Sequence, residues 1–326
     1  MRDDRDSIRA LGEVGLIARF ARGLRRPPSV RVGIGDDAAV LSLPAPPHAL
    51  LRKAKQRGQA GDSGGSLLLF ASDMIVEGVH FRRRRVPAPR IGWKALAVNV
   101  SDIAAMGGVP RWAVVSLGLP PSTPIRFIDG LYAGLARCAR RYGMAIVGGD
   151  TVRAPKVVID VAILGTVQPR HLALRSGARV GDILYVTGRL GGSYRSGRHA
   201  RCVPRLHEAQ ALVKRLTVHA MIDLSDGLAS DLWQMSRASK MVLRVEEARI
   251  PVARAAGNTY HALMDGEDFE LLFAVSAREA ARVPARIGRC PVTRIGAVAR
   301  RGVGVELVPS SGGRIRRLAP EGFRHF

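Results

Sequence analysis

Cysteine is scarce in this sequence, and its distribution excludes two classes of small scaffold. The 326 residues contain three cysteines, Cys138, Cys202 and Cys290, with no C-x-x-C pair. An odd number of isolated cysteines is not typical of a disulfide framework or of a structural zinc site. We therefore expect a protein of a reducing compartment, namely the cytoplasm.

Long apolar runs are also absent. No stretch approaches the roughly 18–20 residues that a helix needs to span a bilayer. The first six residues, MRDDRD, are polar, which is not typical of a secretory signal or a transit peptide. We expect no membrane partner.

Acidic and aromatic residues are few. The chain has 27 Asp and Glu against 51 Lys and Arg, a formal net charge of +24, and 5% aromatic residues. A basic chain can bind a polyanion by releasing counterions, but so few aromatic residues form a poor platform for base stacking. The basic residues are spread along the chain apart from the run Arg82–Arg85. A compositional bias is therefore favoured over a nucleic-acid surface, and the positive field would in either case attract anionic nucleotides.

Length and hydrophobic periodicity indicate two domains of mixed α and β structure. We divide the chain at 1–160 and 161–326, within a boundary region of 155–175. Helices are predicted over 8–22, 93–106, from Thr123-Pro124 to Gly143, and over 204–218, 226–238 and 277–283. Strands are predicted over 38–43, 67–72, 144–148, 157–165, 183–187, 220–223, 241–246, 269–275, 292–298 and 303–308, with a loop over 44–66.

The few acids are concentrated where apolar runs end. Six short segments beside Gly or Ser contain nine of them: Asp36, Asp37, Asp73, Asp102, Asp150, Asp223, Asp226, Glu267 and Asp268. Carboxylates on loops at strand ends suit hard divalent cations, and Mg²⁺ is usually shared with substrate phosphates. On the predicted helix 93–106, Asn99 and Asp102 lie one turn apart and are expected to face the same ligand. The joint pattern indicates a magnesium-dependent enzyme that handles phosphates.

Each acidic segment taken alone is equally consistent with an Asx turn or a helix cap. The Gly-rich turn over 188–193 is not a P-loop, and no P-loop or protein-kinase motif set occurs in the chain. No Ser–His or Cys–His dyad is evident, which argues against acyl transfer. His80 lies near Asp73 and Glu77, where a wall of a substrate pocket is as good an interpretation as a metal ligand or a catalytic base.

The acidic segments and their surroundings together resemble the thiamine-monophosphate kinase family, within the aminoimidazole-ribonucleotide-synthetase-like ATP-binding superfamily. The resemblance runs through nearly the whole chain in consistent order. The matching stretches are GIGDDAAVL (33–41), SDMIVEGVHF (72–81), KALAVNVSDIAAMGG (94–108), GGDTVRAP (148–155), LRSGARVGDILYVTG (174–188), IDLSDGLASDL (222–232), GEDFELLF (266–273) and GFRHF (322–326). The reactive Cys of the related selenophosphate synthetases has no counterpart here.

The resemblance implies a role for each matching residue. The implied Mg²⁺ ligands are Asp37, Ser72, Asp73, Asp102, Asp150, Asp223 and Asp226, of which Asp73, Asp102 and Asp150 are expected to be essential for catalysis. The implied ATP contacts are Gly149, Asp150, Arg175 and Ser225. The implied contacts to thiamine monophosphate are His80, Glu267 and Phe323, with Phe323 able to stack on a flat ring. Ala71 stands where the family often carries a hydroxyl, the region 189–204 is shorter than in many relatives, and the basic hairpin 44–66 is longer.

The implied fold is an N-terminal α+β domain, whose sheet pairs with that of a second subunit, followed by an α/β C-terminal domain. ATP and metals would lie between the domains, near the dimer interface. The implied reaction is direct transfer of the γ-phosphoryl group of ATP to thiamine monophosphate, which gives thiamine diphosphate. Two alternatives are a related ATP-dependent kinase or synthetase with another acceptor, and a non-catalytic relative that binds nucleic acid through Arg82–Arg85 and the loop 52–57.

Overall fold

The structure is a computed structural model that describes residues 27–42 and 65–323, together with residues 15, 17, 18 and 21. In these ranges the chain forms two β-sheets with helices packed against them. The predicted helix 8–22 and the predicted loop 44–66 lie almost entirely outside the described residues.

The first sheet is built from the N-terminal half. Its strands are β1 (Val30–Val32), β2 (Ala39–Leu41), β3 (Leu67–Val76), β4 (Val109–Leu119), β5 (Ala145–Arg153) and β6 (Val158–Val167). They lie in the order β1-β2-β3-β6-β4-β5, in which β4 and β5 are parallel and the other neighbours are antiparallel. Strand β5 is thus an edge strand of this sheet.

Two long helices belong to the same half, namely α1 (Ala88–Ala105) and α2 (Ile125–Tyr142). They cross closely, because a Cβ at Gly92 would lie 1.9 Å from the carbonyl oxygen of Leu131. Helix α1 is buried along most of its length, as expected for a helix that is largely apolar all round. It contacts α2, β3 and β6 on one side and elements of the C-terminal half on the other.

The second sheet is built from the C-terminal half. Its strands are β7 (Ile183–Thr187), β8 (Val218–Asp223), β9 (Met241–Glu246), β10 (Leu271–Val275), β11 (Arg286–Ile287), β12 (Cys290–Arg301), β13 (Gly304–Val308) and β14 (Arg316–Arg317). They run in the order β14-β13-β9-β12-β7-β10-β8, with β11 paired to β12. The helices of this half are α3 (Leu206–Arg215), α4 (Leu228–Ser239), α5 (Thr259–Met264) and α6 (Ala277–Ala280).

The predicted start of α2 is wrong by one residue. Thr123 was expected to be the N-cap, whereas the helix begins at Ile125 and Pro124 occupies the N-cap position. Pro124 has ψ 139, an extended value that ends the preceding segment rather than opening the helix. The predicted stop is confirmed, since Gly143 has a left-handed φ of 65 and its N–H caps the helix.

The predicted domain division at residue 160 falls inside β6, which continues to Val167. The wider predicted interval of 155–175 includes the end of that strand, and the position of the boundary stays a prediction. No helix in the described part of the chain has both the length and the apolar character needed to cross a bilayer.

Candidate active site

Three carboxylates from distant parts of the sequence converge in the folded structure. One carboxylate oxygen each from Asp37, Asp102 and Asp223 lies within 4.8 Å of the others. Asp37 precedes β2, Asp102 lies on α1, and Asp223 ends β8. Because α1 packs against both β3 and β8, it brings the acids of the two halves together.

This cluster opens into an acidic cavity of about 430 Å³. Of the residues expected to bind metal or ATP, the cavity is lined by Asp37, Ser72, Asp73, Asp102, Arg175, Asp223, Ser225 and Asp226. Asp36, Asp231 and Gln234 line it as well. The structure therefore places most of the implied nucleotide and metal residues around one space.

Burial and mutual repulsion make these acids hard to ionise together. Burial, and then the neighbouring carboxylates of Asp73 and Asp223, raise the pKa of Asp102 well above its ordinary value. Burial and Asp37 likewise raise the pKa of Asp223. Burial and Asp37 raise the pKa of Asp36 to about 6. The cluster consequently favours any bound positive charge.

One basic group already faces the cluster. Arg175 Nη2 donates to Asp37 Oδ1 at 2.7 Å, and the Arg175 backbone N–H donates to Asp36 Oδ1 at 3.1 Å. The other oxygen of Asp37, Oδ2, is buried and has no hydrogen-bond partner among the described residues. Asp223 is held by Ser101, whose Oγ donates to Asp223 Oδ2 at 2.6 Å. A set of fixed carboxylate oxygens with one acceptor unused fits a hard divalent cation.

Two of the implied ligands, Asp73 in β3 and Asp150 in β5, were expected at strand ends and instead lie within strands. The backbone N–H of Asp73 donates to Asn99 Oδ1 at 3.0 Å. Asn99 also donates from Nδ2 to the carbonyl of Ala95, and it does not line the cavity. The expectation that Asn99 and Asp102 face the same ligand is therefore wrong, because the Asn99 amide is used to fix β3 at Asp73.

Asp150 and Gly149 do not line the acidic cavity of this chain. Both lie in β5, and the sheet order places β5 three strands away from β3, roughly 14 Å at 4.8 Å per strand. In the register across β3, β6, β4 and β5, Asp150 lies in one row with Met74, whereas Asp73 lies in the adjacent row with Gly149, and adjacent rows face opposite sides of a sheet. Asp150 therefore lies on the opposite face of the sheet from Asp73.

Gly149 is required by the packing of this edge. Its φ is 153, and a Cβ here would lie 1.8 Å from the carbonyl oxygen of Val115 on β4. The neighbouring Asp150 is exposed and accepts a hydrogen bond from the backbone N–H of Thr151 at 2.7 Å. The Gly-Asp pair thus presents a carboxylate at an open sheet edge.

A second cavity of about 450 Å³ adjoins the acidic one. Both cavities are lined by the three residues expected to contact thiamine monophosphate, namely His80, Glu267 and Phe323. We call the second cavity the acceptor cavity after this expectation. The rings of His80 and Phe323 have centroids 6.3 Å apart. Phe323 is 42% exposed, so its ring has a face available in the cavity.

Lys94 is a site residue that was not predicted from the sequence. Its side chain is 1% exposed, and its ammonium group donates both to the carbonyl of His80, at 2.9 Å, and to the carboxylate of Glu267. A signal for it exists in the sequence, since Lys94, Val98 and Asp102 recur at intervals of four along α1 and all three line the acidic cavity. A lone lysine on an apolar helix stripe was therefore a candidate site residue.

The backbone amides of the Gly-rich turn over 188–193 donate hydrogen bonds to side chains of the protein itself. The backbone N–H of Gly191 donates to Asp268 at 2.7 Å, and that of Gly192 donates to Asp265 at 2.8 Å. Asp268 also pairs with Arg198. Burial raises the pKa of Asp268 to about 7 although Arg198 opposes the shift. Asp268, one of the nine acids of the sequence pattern, thus joins two loops and does not line the acidic cavity.

Comparisons with known protein families agree with this arrangement. Residues 35–167 match the family described as AIR synthase related protein, N-terminal domain. Residues 197–308 match the family described as AIR synthase related protein, C-terminal domain. The fold class expected from the sequence, an α+β N-terminal domain followed by an α/β C-terminal domain, is confirmed.

Individual relatives cover nearly the whole chain. The thiamine-monophosphate kinase of Rhodopirellula baltica is 40% identical over 96% of this chain and 97% of its own length. The enzyme of that name from Bacillus subtilis is 33% identical over 91% of this chain and 94% of its own. A solved structure described as AaThiL complexed with AMPPCP and TMP superimposes with a TM-score of 0.80 at 28% identity, covering 98% of this chain and 99% of that one. The chain therefore belongs to the thiamine-monophosphate kinase family.

Proposed function

We propose that this protein phosphorylates thiamine monophosphate at the junction of its two cavities, with ATP as phosphoryl donor and thiamine diphosphate as product. Family membership supports the reaction, and the relative complexed with AMPPCP and TMP supports the two substrates. The observation that carries the assignment to this site is the convergence of Asp37, Asp102 and Asp223 beside a cavity that His80 and Phe323 share.

In this proposal the acidic cavity binds the triphosphate of ATP together with Mg²⁺. The cation would be held by Asp37, Ser72, Asp73, Asp102, Asp223 and Asp226. When bound, Mg²⁺ supplies positive charge that offsets both the carboxylates and the phosphates. The protein holds the carboxylates in position, because Ser101 orients Asp223 and Asn99 holds the β3 backbone at Asp73. Arg175 and Ser225 would contact the nucleotide.

The acceptor needs no strong base. The second pKa of a phosphate monoester is near 6, so its oxygens are largely ionised at neutral pH. His80 is consistent with this, because its Nδ1 accepts the backbone N–H of Val76 at 3.0 Å, which places the ring proton on Nε2. His80 would therefore donate a hydrogen bond to the substrate. Catalysis then rests on alignment and charge stabilisation.

The walls of the acceptor cavity suit a flat heteroaromatic group that carries a cation. Phe323 offers a ring for stacking, and Glu267 offers a carboxylate whose position is set by Lys94. The Glu267 backbone is also fixed, since its N–H donates to the Ser225 carbonyl at 2.6 Å and its carbonyl accepts from Ser193 Oγ at 2.6 Å. The fixed position of Glu267 supports a cavity that selects one particular acceptor.

A homodimer is part of the proposal. The face of the first sheet that points away from the helices exposes a set of apolar side chains: Phe70, Met74, Trp112, Val114 and Val152. Asp150 lies on the same face. Pairing of this face with its copy would cover the apolar surface and give Gly149 and Asp150 a route to the nucleotide of the partner subunit. Cytoplasmic location stays a prediction.

The direct test is an assay of the purified protein with Mg-ATP and thiamine monophosphate, with thiamine diphosphate measured by chromatography. Asp102→Asn should lower kcat by about 100-fold or more, because a group that positions and stabilises the phosphates is lost. Asp129→Asn, an exposed acid on α2, is the matched control and should keep wild-type activity. Absence of thiamine diphosphate from the wild-type reaction would refute the proposal.

A further inference from the structure

A third cavity, of about 260 Å³, lies beside the acceptor cavity and is lined by arginines. Arg82, Arg85, Arg90 and Arg195 contribute to its walls, with Tyr194 and His199, and no carboxylate lines it. We call this space the arginine pocket. Two residues of the run Arg82–Arg85, which the proposed reaction leaves without a role, thus line a concave site together with residues more than a hundred positions away in the sequence.

The positive charge of the arginine pocket is not neutralised by the described part of the protein. The neighbouring Arg83 shows the contrast, because its Nε pairs with Glu77 at 2.7 Å. Arg82, Arg85 and Arg90 make no ion pair or side-chain hydrogen bond with any described residue, and Arg195 contacts only His261 Nε2, at 3.0 Å. Guanidinium groups gathered around one space repel each other, so a bound anion would relieve the repulsion.

The start of helix α1 adds to this field. Arg85 and Arg90 lie on either side of its N-terminus, and α1 is 18 residues long. Pro87 at the N-cap position makes no side-chain cap, and the first turn contains no acid. A helix N-terminus carries a partial positive charge, and no acid of the first turn offsets it here.

We propose that the arginine pocket binds the phosphate group of a small anion, as free orthophosphate or diphosphate or as the terminal group of a metabolite. Guanidinium groups match phosphate oxygens in pairs, and they remain charged at all physiological pH values. The volume is below the roughly 300–1,000 Å³ typical of sites for drug-sized molecules, which suits one or two phosphate groups rather than a whole nucleotide.

Occupancy of the arginine pocket has a consequence for the acceptor cavity, and this consequence rests on the proposed function. Arg82, Tyr194 and Arg195 line both spaces. An anion that draws Arg82 and Arg195 toward itself removes two positive groups from the wall of the acceptor cavity. Binding of the anion itself does not depend on which reaction the protein catalyses.

The test is calorimetric titration of the metal-free protein with sodium diphosphate, because without cation the acidic cavity repels this probe. The variant Arg85→Gln/Arg90→Gln should bind diphosphate about 100-fold more weakly than the wild type, since each lost charged hydrogen bond weakens binding roughly tenfold or more. The matched control is Arg84→Gln/Arg278→Gln, which removes the same charge from two exposed sites outside the pocket. It should change the affinity by less than about threefold.

Equal weakening in the two double variants would overturn the proposal, since it would mean that the general positive field attracts the probe. Absence of diphosphate binding to the wild-type protein would also overturn it. Titrations of the wild type and of Arg85→Gln/Arg90→Gln with orthophosphate and with thiamine diphosphate distinguish a free anion from a metabolite end group, because only binding in the arginine pocket is weakened by the double substitution. Tighter, length-dependent binding of a single-stranded oligonucleotide through the same arginines would replace the small anion with a nucleic acid. Thiamine diphosphate formation by the wild-type protein is measured separately, so failure of either proposal is recognised independently.

Discussion

Removal of divalent cations should make this protein less stable as pH rises, because three acids are held close together. The carboxylate oxygens of Asp37, Asp102 and Asp223 lie within 4.8 Å of one another. At an effective dielectric constant near 20, two unit charges at such a distance repel by about 3.5 kcal/mol. Three such pairs, offset in part by Arg175, cost roughly 5–10 kcal/mol, which is comparable to the whole free energy of unfolding of a typical domain. The metal-free folded state therefore retains protons on this cluster.

The sign of the pH dependence follows from the raised pKa values of Asp102 and Asp223, which are caused first by burial and then by neighbouring carboxylates. Between the ordinary pKa near 4 and these raised values, the folded state binds more protons than the unfolded state. The free energy of unfolding consequently falls as pH rises through that interval. Asp36, with a pKa of about 6, contributes in the same direction. Bound Mg²⁺ should offset the carboxylate charges and reduce the fall.

The measurement is thermal unfolding from about pH 5 to about pH 8, in EDTA and in Mg²⁺, with K⁺ added to match the ionic strength. At about 100 times its Kd, a ligand of the folded state adds about 2.7 kcal/mol of stability. For a chain of this size that corresponds to a rise in Tm of roughly 5 °C. The rise should increase with pH. Asp102→Asn should lose most of it, and Asp129→Asn should keep it.

Two results would refute this reasoning. A rise in Tm that is the same at all pH values would show that Mg²⁺ acts away from the titrating cluster. An undiminished rise in Asp102→Asn would show the same. Ordinary salt stabilisation is excluded by the K⁺ control, because screening depends on ionic strength and not on the identity of the cation.

Three further predictions concern the contacts to thiamine monophosphate and the role of Asp150. Lys94→Met should raise the KM for thiamine monophosphate more than it lowers kcat, and it should lower the free energy of unfolding because Glu267 loses its partner. Adding Glu267→Gln should restore the free energy of unfolding but not the KM. Recovery of both quantities would show that Lys94 has only a structural role. Phe323→Ala should raise the KM for thiamine monophosphate by about 5- to 10-fold with the KM for ATP unchanged, and equal effects on both substrates would contradict stacking. Mixing inactive Asp73→Asn and Asp150→Asn subunits should recover about one quarter of wild-type activity if Asp150 acts across a dimer. Statistical exchange makes about half of the dimers mixed, and one of the two sites in each mixed dimer then has both aspartates. No recovery would place Asp150 in its own subunit's site.

The regular elements were largely predictable because their apolar residues are periodic. Strand β7 (Ile183–Thr187) and strand β9 (Met241–Glu246) have the predicted bounds, since both are short apolar runs between turn residues. Helix α5 (Thr259–Met264) was missed because six residues are too few to show a helical period. Its start was nonetheless signalled by Asn258, whose side chain accepts the backbone N–H of His261.

The composition of the acidic cavity was predictable from the family resemblance, but the place of individual residues was not. Asp150 has the same Gly-Asp context as Asp36, yet Asp36 lies in the connection between β1 and β2, whereas Asp150 lies in β5 at the other end of the strand order. Local sequence does not encode strand order, and strand order decides which acids meet. Lys94 and Asn99 show the same limit within one helix. Only the packing reveals that Lys94 pairs with Glu267 in the cavity, whereas the Asn99 amide accepts a hydrogen bond from the backbone of β3.

The overlap of the two cavities explains why one helix carries so much of the site. Lys94 and Asp102 lie two turns apart on α1, a distance of about 12 Å along the axis at 1.5 Å per residue. Lys94 pairs with Glu267, which is the acceptor end in the proposed reaction, and Asp102 belongs to the acidic cluster, which is the donor end in that proposal. Because both groups are attached to one buried helix, the separation between donor and acceptor is set by a rigid element rather than by loops. Catalysis by alignment depends on such a fixed separation, and we therefore expect substitutions that tilt α1 to lower kcat even where every carboxylate is retained.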